Sequence, residues 1–332
     1  MALQTQLLEA VLDKFPRKAD AVKALSDLLN MGQNGVYRRI RNESQLTPDE
    51  LSLISKKFGI SLDAIVQENS SNLFFDYPAV TEQVTSFEGY LNSISGNMEA
   101  FPHLPGVKVK YAASELPIFH YCFFPELMAF KLYTWGKATW DLPSIKDRPF
   151  SFDLISPAAY EAAQTLLQHY LNVPSIELWT FNIIDLTLNQ IEYYLESGSI
   201  ANPADALILC DKMKELIIHL KEMAIRGKKF PVGTKTMEGR HDFTLFLNEM
   251  IDTSNTIIVC TDLGKATYIT FGNPNFLKGT DQRVAGYIDD WFGRIMVKSQ
   301  PISSHAEKAR NKYFNRLVQQ VERKKARLAL EV

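Results

Sequence analysis

The stretch ADAVKALSDLLNMGQNGVYRRIRNESQLTPDELSLISKKFGISLDAIV, residues 19–66, contains short segments of helical periodicity separated by tight connections. Apolar residues recur at helical spacing between Ala19 and Asn30, which predicts an amphipathic helix with one buried stripe. The residues of this stripe are Ala21, Leu25, Leu28 and Leu29. Met31, Gly32 and Gln33 then form the turn. Gly32 is expected to take the left-handed conformation, which ends a helix at no Cβ cost.

A second short helix, roughly Asn34 to Arg41, follows at once. Val36 and Ile40 lie one turn apart and are expected to face inward. The outer side and its margin carry Gln33, Asn34, Tyr37, Arg38, Arg39 and Arg41. Arg can pair bidentately with guanine, Gln or Asn can pair with adenine, and Tyr can reach a phosphate. This pattern favours contact with the major groove of DNA, and the alternative is an ordinary solvated helix face.

The next helix has strong terminal signals. Thr47 supplies an N-cap hydroxyl, Pro48 occupies the first helical position and Glu50 the third, which together predict a capping box. Gly59 closes this helix, and Ser61 is expected to cap a final short one.

With these parts in this order, residues 1–66 resemble the lambda-repressor and Cro type of helix-turn-helix, the XRE class of bacterial-type transcription regulators. The likeness rests on the segment from Val36 to Arg41 and on the ending from Gly59 to Ile65. It implies that the helix around Gln33 to Arg41 binds double-stranded DNA in the major groove. A homodimer that binds half-sites roughly 34 Å apart is then expected. Gly35 lies inside this helix at a cost of about 1 kcal/mol relative to alanine, which a close approach to DNA or to the first helix would explain.

The bulk composition indicates two ordinary globular domains. The chain has 332 residues, 46% of them hydrophobic, which is ample for such cores. The net charge of −2 excludes a general polyanion-binding protein and leaves room for a local basic patch. Cys122, Cys210 and Cys260 lie far apart in apolar surroundings, as buried thiols of a reducing compartment do. Without a secretory leader or a long apolar segment, the sequence predicts a cytoplasmic protein with no membrane partner.

The domain boundaries follow from polarity and patterning. Residues 1–66 are assigned to the helix-turn-helix DNA-binding domain, which is all-α and includes a first helix over Met1 to Phe15. Residues 67–76 are the linker, and residues 77–332 are an α+β module for sensing or oligomerisation, predominantly helical with short strands.

Local signals predict several elements of this module. A helix is expected over Ser86 to Phe101, and alternation at Val107, Val109 and Tyr111 predicts a strand with one buried face. The other predictions are a partner strand over Pro117 to Phe124, a helix from Pro125 to about Lys137, helices throughout Ser156 to Phe230, a hairpin of Thr256 to Cys260 with Ala266 to Phe271, a helix over Val284 to Met296, and a capping box at Ser304 to Glu307 before the last helix.

No motif for catalysis, metal binding or a cofactor is recognisable. The segment from Gly227 to Lys235 fails the spacing of a phosphate-binding loop, and the six histidines lack metal-ligand spacing. His120, within an apolar run, is expected to be a core histidine. The basic segment Arg323 to Arg327 is interpreted as favourable charge at a helix C-terminus, with contact to DNA or membrane as the alternative.

The aromatic residues after the first strand allow two interpretations. Phe119, Tyr121, Phe123, Phe124, Tyr133, Trp135 and Trp140 cluster in sequence. They could line an apolar cavity for a small-molecule effector, or they could form an ordinary core.

The sequence thus predicts a DNA-binding transcriptional regulator that is not an enzyme. A protein-interaction scaffold and an enzyme with an unrecognised C-terminal catalytic module remain the alternatives.

Overall fold

A computed structural model of the chain describes residues 3–66, 75–77, 83–237, 240–250, 253–272 and 274–332. The chain divides into two compact units, Met1–Phe74 and Phe75–Val332. The predicted linker, residues 67–76, falls largely outside the described residues. Asp76 belongs to the second unit, because its backbone N–H donates to the carbonyl oxygen of Lys278 at 2.7 Å.

The described part of the first unit is entirely helical. Its helices are α1 (Leu3–Leu12), α2 (Lys18–Leu28), α3 (Gln33–Ile40), α4 (Pro48–Phe58) and α5 (Leu62–Val66). Their apolar faces share one core, in which the fully buried side chains include Leu7, Val11, Leu25, Val36 and Ile54. Val36 and Ile40 face this core, as the sequence predicted.

The turn between α2 and α3 differs from the sequence prediction. Asn30, not Gly32, takes the left-handed conformation, with φ of 49°. Gly32 is extended, with φ of −66° and ψ of 151°, and is the N-cap of α3. The prediction for Gly32 was therefore wrong, because asparagine also tolerates the left-handed region and it stands nearer the end of α2.

The start and end of α4 confirm the signals in the sequence. The Thr47 hydroxyl accepts from the Glu50 backbone N–H at 3.2 Å, and the Glu50 carboxylate accepts from the Thr47 N–H at 2.7 Å. Gly59 ends the helix in the left-handed conformation, with φ of 60°.

The second unit is built on a mixed seven-stranded sheet. Its strands are β1 (Lys108–Ala113), β2 (Ser175–Trp179), β3 (Phe243–Leu247), β4 (Thr256–Thr261), β5 (Gly264–Gly272), β6 (Asn275–Gly279) and β7 (Gln300–Pro301). They lie in the order β6-β5-β4-β1-β2-β3-β7. β1, β2 and β3 run parallel, with Tyr111, Glu177 and Leu245 side by side, and the remaining pairs are antiparallel.

Helices cover both faces of the sheet. They are α6 (Phe87–Met98), α7 (Ile118–Tyr121), α8 (Pro125–Ala138), α9 (Pro157–Leu171), α10 (Asp185–Glu196), α11 (Ala204–Arg226), α12 (Gln282–Lys298) and α13 (Glu307–Leu328). The main core packs the other helices against one face, whereas α12 packs Phe292 and Ile295 against Ala112, Leu178 and Ile258 on the opposite face.

Several predictions for this unit are confirmed. They are the helix capped by Ser86, the strand with Val109 and Tyr111 buried, the helix from Pro125, the β4–β5 hairpin and the helix that became α12.

Three predictions for this unit were wrong. The segment from Pro117 to Phe124 contains helix α7 rather than a strand, and the region from Ser156 to Phe230 is interrupted by β2. Both are short apolar runs, for which periodicity does not separate helix from buried strand. The last helix begins after Ala306, with no side-chain cap, because Ser304 is left-handed with φ of 54°.

None of the helices in the described ranges combines the length and apolar character that a membrane crossing requires.

Removing the N-cap of α4 should destabilise the first unit. Thr47→Ala loses one side of the capping box and is expected to lower the free energy of unfolding by about 1 kcal/mol. The measurement is hydrogen exchange of the α4 amides in the full chain. Ser52→Ala, an exposed change within the same helix, serves as the control and should not speed exchange. Equal exchange in both variants would contradict a stabilising cap.

Candidate functional site

The exposed side of α3 is the first candidate site. Gln33, Asn34, Arg38 and Arg41 are exposed at its start, middle and end, and Tyr37 is half-buried against the core. These residues, the α3 surface, stand opposite Val36, which is only 1% exposed. Burial of Val36 therefore fixes which side of the helix faces outward.

The three arginines have different environments. Arg39 is only 19% exposed, and its Nη2 lies 2.7 Å from the Glu50 carboxylate, an ion pair that joins α3 to α4. Arg41 Nε lies 2.6 Å from Glu43 Oε1, and Arg38 Nε lies 3.9 Å from Glu43 Oε2, with all three side chains largely exposed. The hydrogen bond from Arg41 lowers the pKa of Glu43. Because exposed pairs contribute little, Arg38 and Arg41 are readily redirected to another anion.

The backbone after α3 is held by a buried amide. The Gln4 side chain donates to the carbonyl oxygens of Arg39 and Ser44 at 2.8 and 2.9 Å and accepts from the Leu46 N–H at 2.6 Å. These bonds tie the end of α3 to α1 and give the α3 surface a rigid support.

Gly35 has a close neighbour within its own unit. A Cβ built there would lie 3.3 Å from Sδ of Met31. The glycine thus accommodates the Met31 side chain from the preceding turn.

An apolar cavity in the second unit is the second candidate site. It lies between α6, the adjoining face of β1, β4, β5 and β6, and the helical layer beneath. Aromatic rings predominate in its wall: Tyr90, Phe101, Tyr111, Phe119, Trp135, Tyr170, Tyr268 and Phe276. We call this space the aromatic cavity.

Only part of the predicted aromatic cluster lines the cavity. Phe119 and Trp135 do, whereas Tyr121, Phe123, Phe124 and Tyr133 are buried in the core around it. Trp140 packs on Tyr90, with ring centroids 4.6 Å apart. Tyr90 and Tyr111 also line the cavity but lie outside the predicted aromatic cluster, although Tyr111 belongs to a strand whose buried face the sequence predicted.

The buried carboxylate of Glu177 contacts Tyr170, one of the residues that line the cavity. Glu177, in the middle of β2 and 1% exposed, accepts hydrogen bonds from four side chains. The donors are Tyr170 Oη at 2.6 Å, Trp179 Nε1 at 2.9 Å, Ser175 Oγ at 3.2 Å and His120 Nε2 at 2.9 Å. Burial alone would raise its pKa, but His120, Lys229 and Tyr170 outweigh this effect and lower the pKa to about 2. His120 is therefore a buried residue of this network.

Lys229 supplies a buried positive charge at the inner wall. Its side chain is fully buried, and Nζ donates to the carbonyl oxygens of Tyr170 and Val173 at 3.0 and 2.8 Å. Nζ also lies 3.4 Å from the centroid of the Tyr170 ring. Burial lowers the pKa of Lys229 to about 7, although Glu177 acts in the opposite direction. The protonated form of Lys229 compensates both the carbonyl oxygens at the end of α9 and the charge of Glu177.

The basic segment at the end of α13 is paired within the second unit. Lys324 lies 2.7 Å from Glu192, Lys325 lies 2.6 Å from Asp211, and Arg327 lies 3.1 Å from Glu192. These contacts with α10 and α11 pair three of the four basic residues of the segment.

Among the described residues, no group of three or more His, Cys, Asp or Glu side chains could hold a metal ion. Comparison of the chain with protein families, curated proteins and solved structures found no match to any of them.

Substituting Gly35 should stabilise the first unit. Gly35→Ala removes a cost of about 1 kcal/mol, and the end of the flexible Met31 side chain can move by the few tenths of an ångström required. We expect slower hydrogen exchange of the α3 amides. Faster exchange would show that Met31 is too tightly packed to move.

Lys229 should make the free energy of unfolding of the second unit depend on pH. Its pKa is about 7 in the folded chain against 10.5 ordinarily, so above pH 7 the unfolded chain binds a proton that the folded chain lacks. The free energy of unfolding should therefore rise with pH, by at most about 1.4 kcal/mol per pH unit, and Lys229→Met should flatten this rise.

Urea unfolding between pH 7 and 8.5 tests this, with fluorescence from the four tryptophans, which all lie in the second unit. This range stays below the region where ionisation of the buried thiols would lower stability, since burial raises the pKa of Cys122 and Cys210 to about 12. The control is Lys228→Met, whose ammonium pairs with Asp242 at the surface. An unchanged slope in Lys229→Met would contradict the assignment.

Proposed function

We propose that this protein is a sequence-specific DNA-binding transcriptional regulator whose second unit senses a small molecule or mediates oligomerisation. The observation that carries the proposal is the α3 surface. Amide and guanidinium side chains are exposed on a short helix whose opposite side is locked into the core. These are the groups that distinguish bases in the major groove.

The exposed residues of α3 suit different parts of the DNA. Arg38 and Arg41 are free to exchange their exposed pairing with Glu43 for a guanine edge or a phosphate. Gln33 and Asn34, at the N-terminal end of α3, suit adenine, and Tyr37 suits a phosphate. Arg39, held by Glu50, would orient α3 relative to α4 from the margin of the surface.

A homodimer is the expected binding form. One such helix covers few base pairs, so specific binding requires two copies that read half-sites roughly 34 Å apart. The second unit would set this spacing. Since the chain is close to neutral overall, affinity must come from the local groups of α3 rather than from a long-range field.

The test is selection of bound sequences from a random duplex library with the full chain at near-physiological salt. We expect enrichment of an inverted repeat, and binding to it that weakens steeply as salt is raised. A folded protein that enriches nothing and binds random duplex at no salt concentration would overturn the proposal and favour a protein-interaction scaffold.

Truncating either exposed arginine should weaken binding to the selected sequence. Arg38→Ala and Arg41→Ala are each expected to cost about 1–3 kcal/mol if the arginine is bidentate to a base, with relaxed preference at the contacted position. Gel-shift titration measures the effect. Lys57→Ala, which removes an exposed positive charge on α4, is the matched control and should bind nearly as the unaltered chain does. Unchanged affinity in both arginine variants would remove these residues from the interface.

A further inference from the structure

The wall of the aromatic cavity indicates the size and polarity of an occupant. Helix α6 contributes Tyr90, Ile94 and Met98 on one side, and the sheet contributes Val109 and Val259 on the other. A space enclosed by rings and branched aliphatic side chains favours a compact ring-containing molecule, because burial of apolar surface supplies most of the affinity in such a site.

Tyr111 is one of the tyrosines that line this wall. Tyr111 is 6% exposed, and among the described residues its hydroxyl makes no hydrogen bond. Burial and the nearby carboxylates of Glu115 and Glu177 raise its pKa, so the phenol stays protonated and is a donor. A ligand oxygen in the cavity could accept a hydrogen bond from this donor.

The charges around the cavity disfavour an ionised occupant. Nζ of Lys229 is buried, donates to two carbonyl oxygens and lies 3.4 Å from the centroid of the Tyr170 ring, so these three contacts already surround it. Lys131 is likewise buried and lies 3.4 Å from Glu115. Both amines are thus already engaged within the unit, and an ion entering the cavity would lose its hydration without gaining a free partner.

The cavity wall also anchors the point where the chain enters the second unit. Phe276 lines the cavity from β6, and the backbone of Asp76 pairs with Lys278 on the same strand. Tyr77 packs edge-on against Phe271 of β5, with ring centroids 5.2 Å apart. The strands that line the cavity are therefore the ones that hold residues 75–77.

We propose that the aromatic cavity binds a neutral, ring-containing small molecule with one oxygen acceptor, which takes the hydrogen bond of the Tyr111 hydroxyl. The binding of this small molecule depends on the cavity alone and not on the proposed function. Its consequence for DNA affinity, through the strands that anchor residues 75–77, rests on the proposed function.

Three probes of nearly equal shape test the chemistry: 2-acetylnaphthalene, which has a ketone oxygen, 2-isopropenylnaphthalene, in which a methylene group replaces that oxygen, and the anion 2-naphthoate. Isothermal titration calorimetry with the full chain, without DNA, measures each affinity. We expect the ketone to bind most tightly and 2-naphthoate most weakly. Failure of both neutral probes to bind, or equal binding of 2-naphthoate and the ketone, would overturn the proposal.

Two variants locate the binding site. Tyr111→Phe should weaken the ketone by about 3- to 10-fold and leave 2-isopropenylnaphthalene unchanged, because only the ketone accepts the hydrogen bond. Tyr193→Phe, an exposed tyrosine on α10, is the matched control and should change neither. Ile94→Trp, which fills the space from α6, should abolish binding of both neutral probes. A ketone affinity that is the same in Tyr111→Phe and Ile94→Trp as in the unaltered chain would place binding elsewhere.

Ligand binding and DNA binding are measured separately, so their failures are distinguishable. The selected DNA sequence, titrated with and without saturating 2-acetylnaphthalene, shows whether occupancy changes affinity. A ligand that binds with the expected variant pattern but leaves DNA affinity unchanged would support the site and refute its regulatory link. A chain that binds the ligand and no DNA would refute the proposed function alone.

Discussion

The carboxylate of Glu177 is the constraint around which the second unit is arranged. It is a charge buried in the middle of a central strand, where losing a partner is strongly destabilising, by about 3–5 kcal/mol. Its donors come from separate elements: His120 from α7, Tyr170 from α9, and Trp179 from β2 itself. Because every donor must be in place at once, this one residue fixes the positions of two helices against the sheet.

The same network gives the aromatic cavity a rigid inner wall. Tyr170 donates its hydroxyl to Glu177, while its ring and its carbonyl oxygen contact the Lys229 ammonium. Its other neighbour, Phe119, stacks on it with ring centroids 4.9 Å apart. A cavity lined by residues that are held by paired charges resists collapse, and such preorganisation reduces the cost of binding a small ligand.

In the first unit, the exposed polar side chains lie on α3, a helix of only eight residues. So short a helix is not stable by itself, so its position depends on tertiary contacts. Val36 is buried beneath it, Gln4 holds the backbone that follows it, and Arg39 joins it to Glu50 of α4. These contacts use one side of α3 and leave Arg38 and Arg41 exposed, which is the arrangement that the proposed DNA binding requires.

Local signals in the sequence determined most of the helices, the capping box at Thr47 and the β4–β5 hairpin, because each depends on residues that are close along the chain. The order of the strands, the helix at Ile118 and the buried strand at Ser175 were decided by tertiary structure, since short apolar runs have no period that distinguishes helix from strand. The sequence also identified the residues of the α3 surface, because helical spacing determines which side chains share one side of a helix. It did not bring Glu177, Lys229 and His120 together: these residues lie on different elements far apart in the chain, and only the packing of the parallel strands makes them one site.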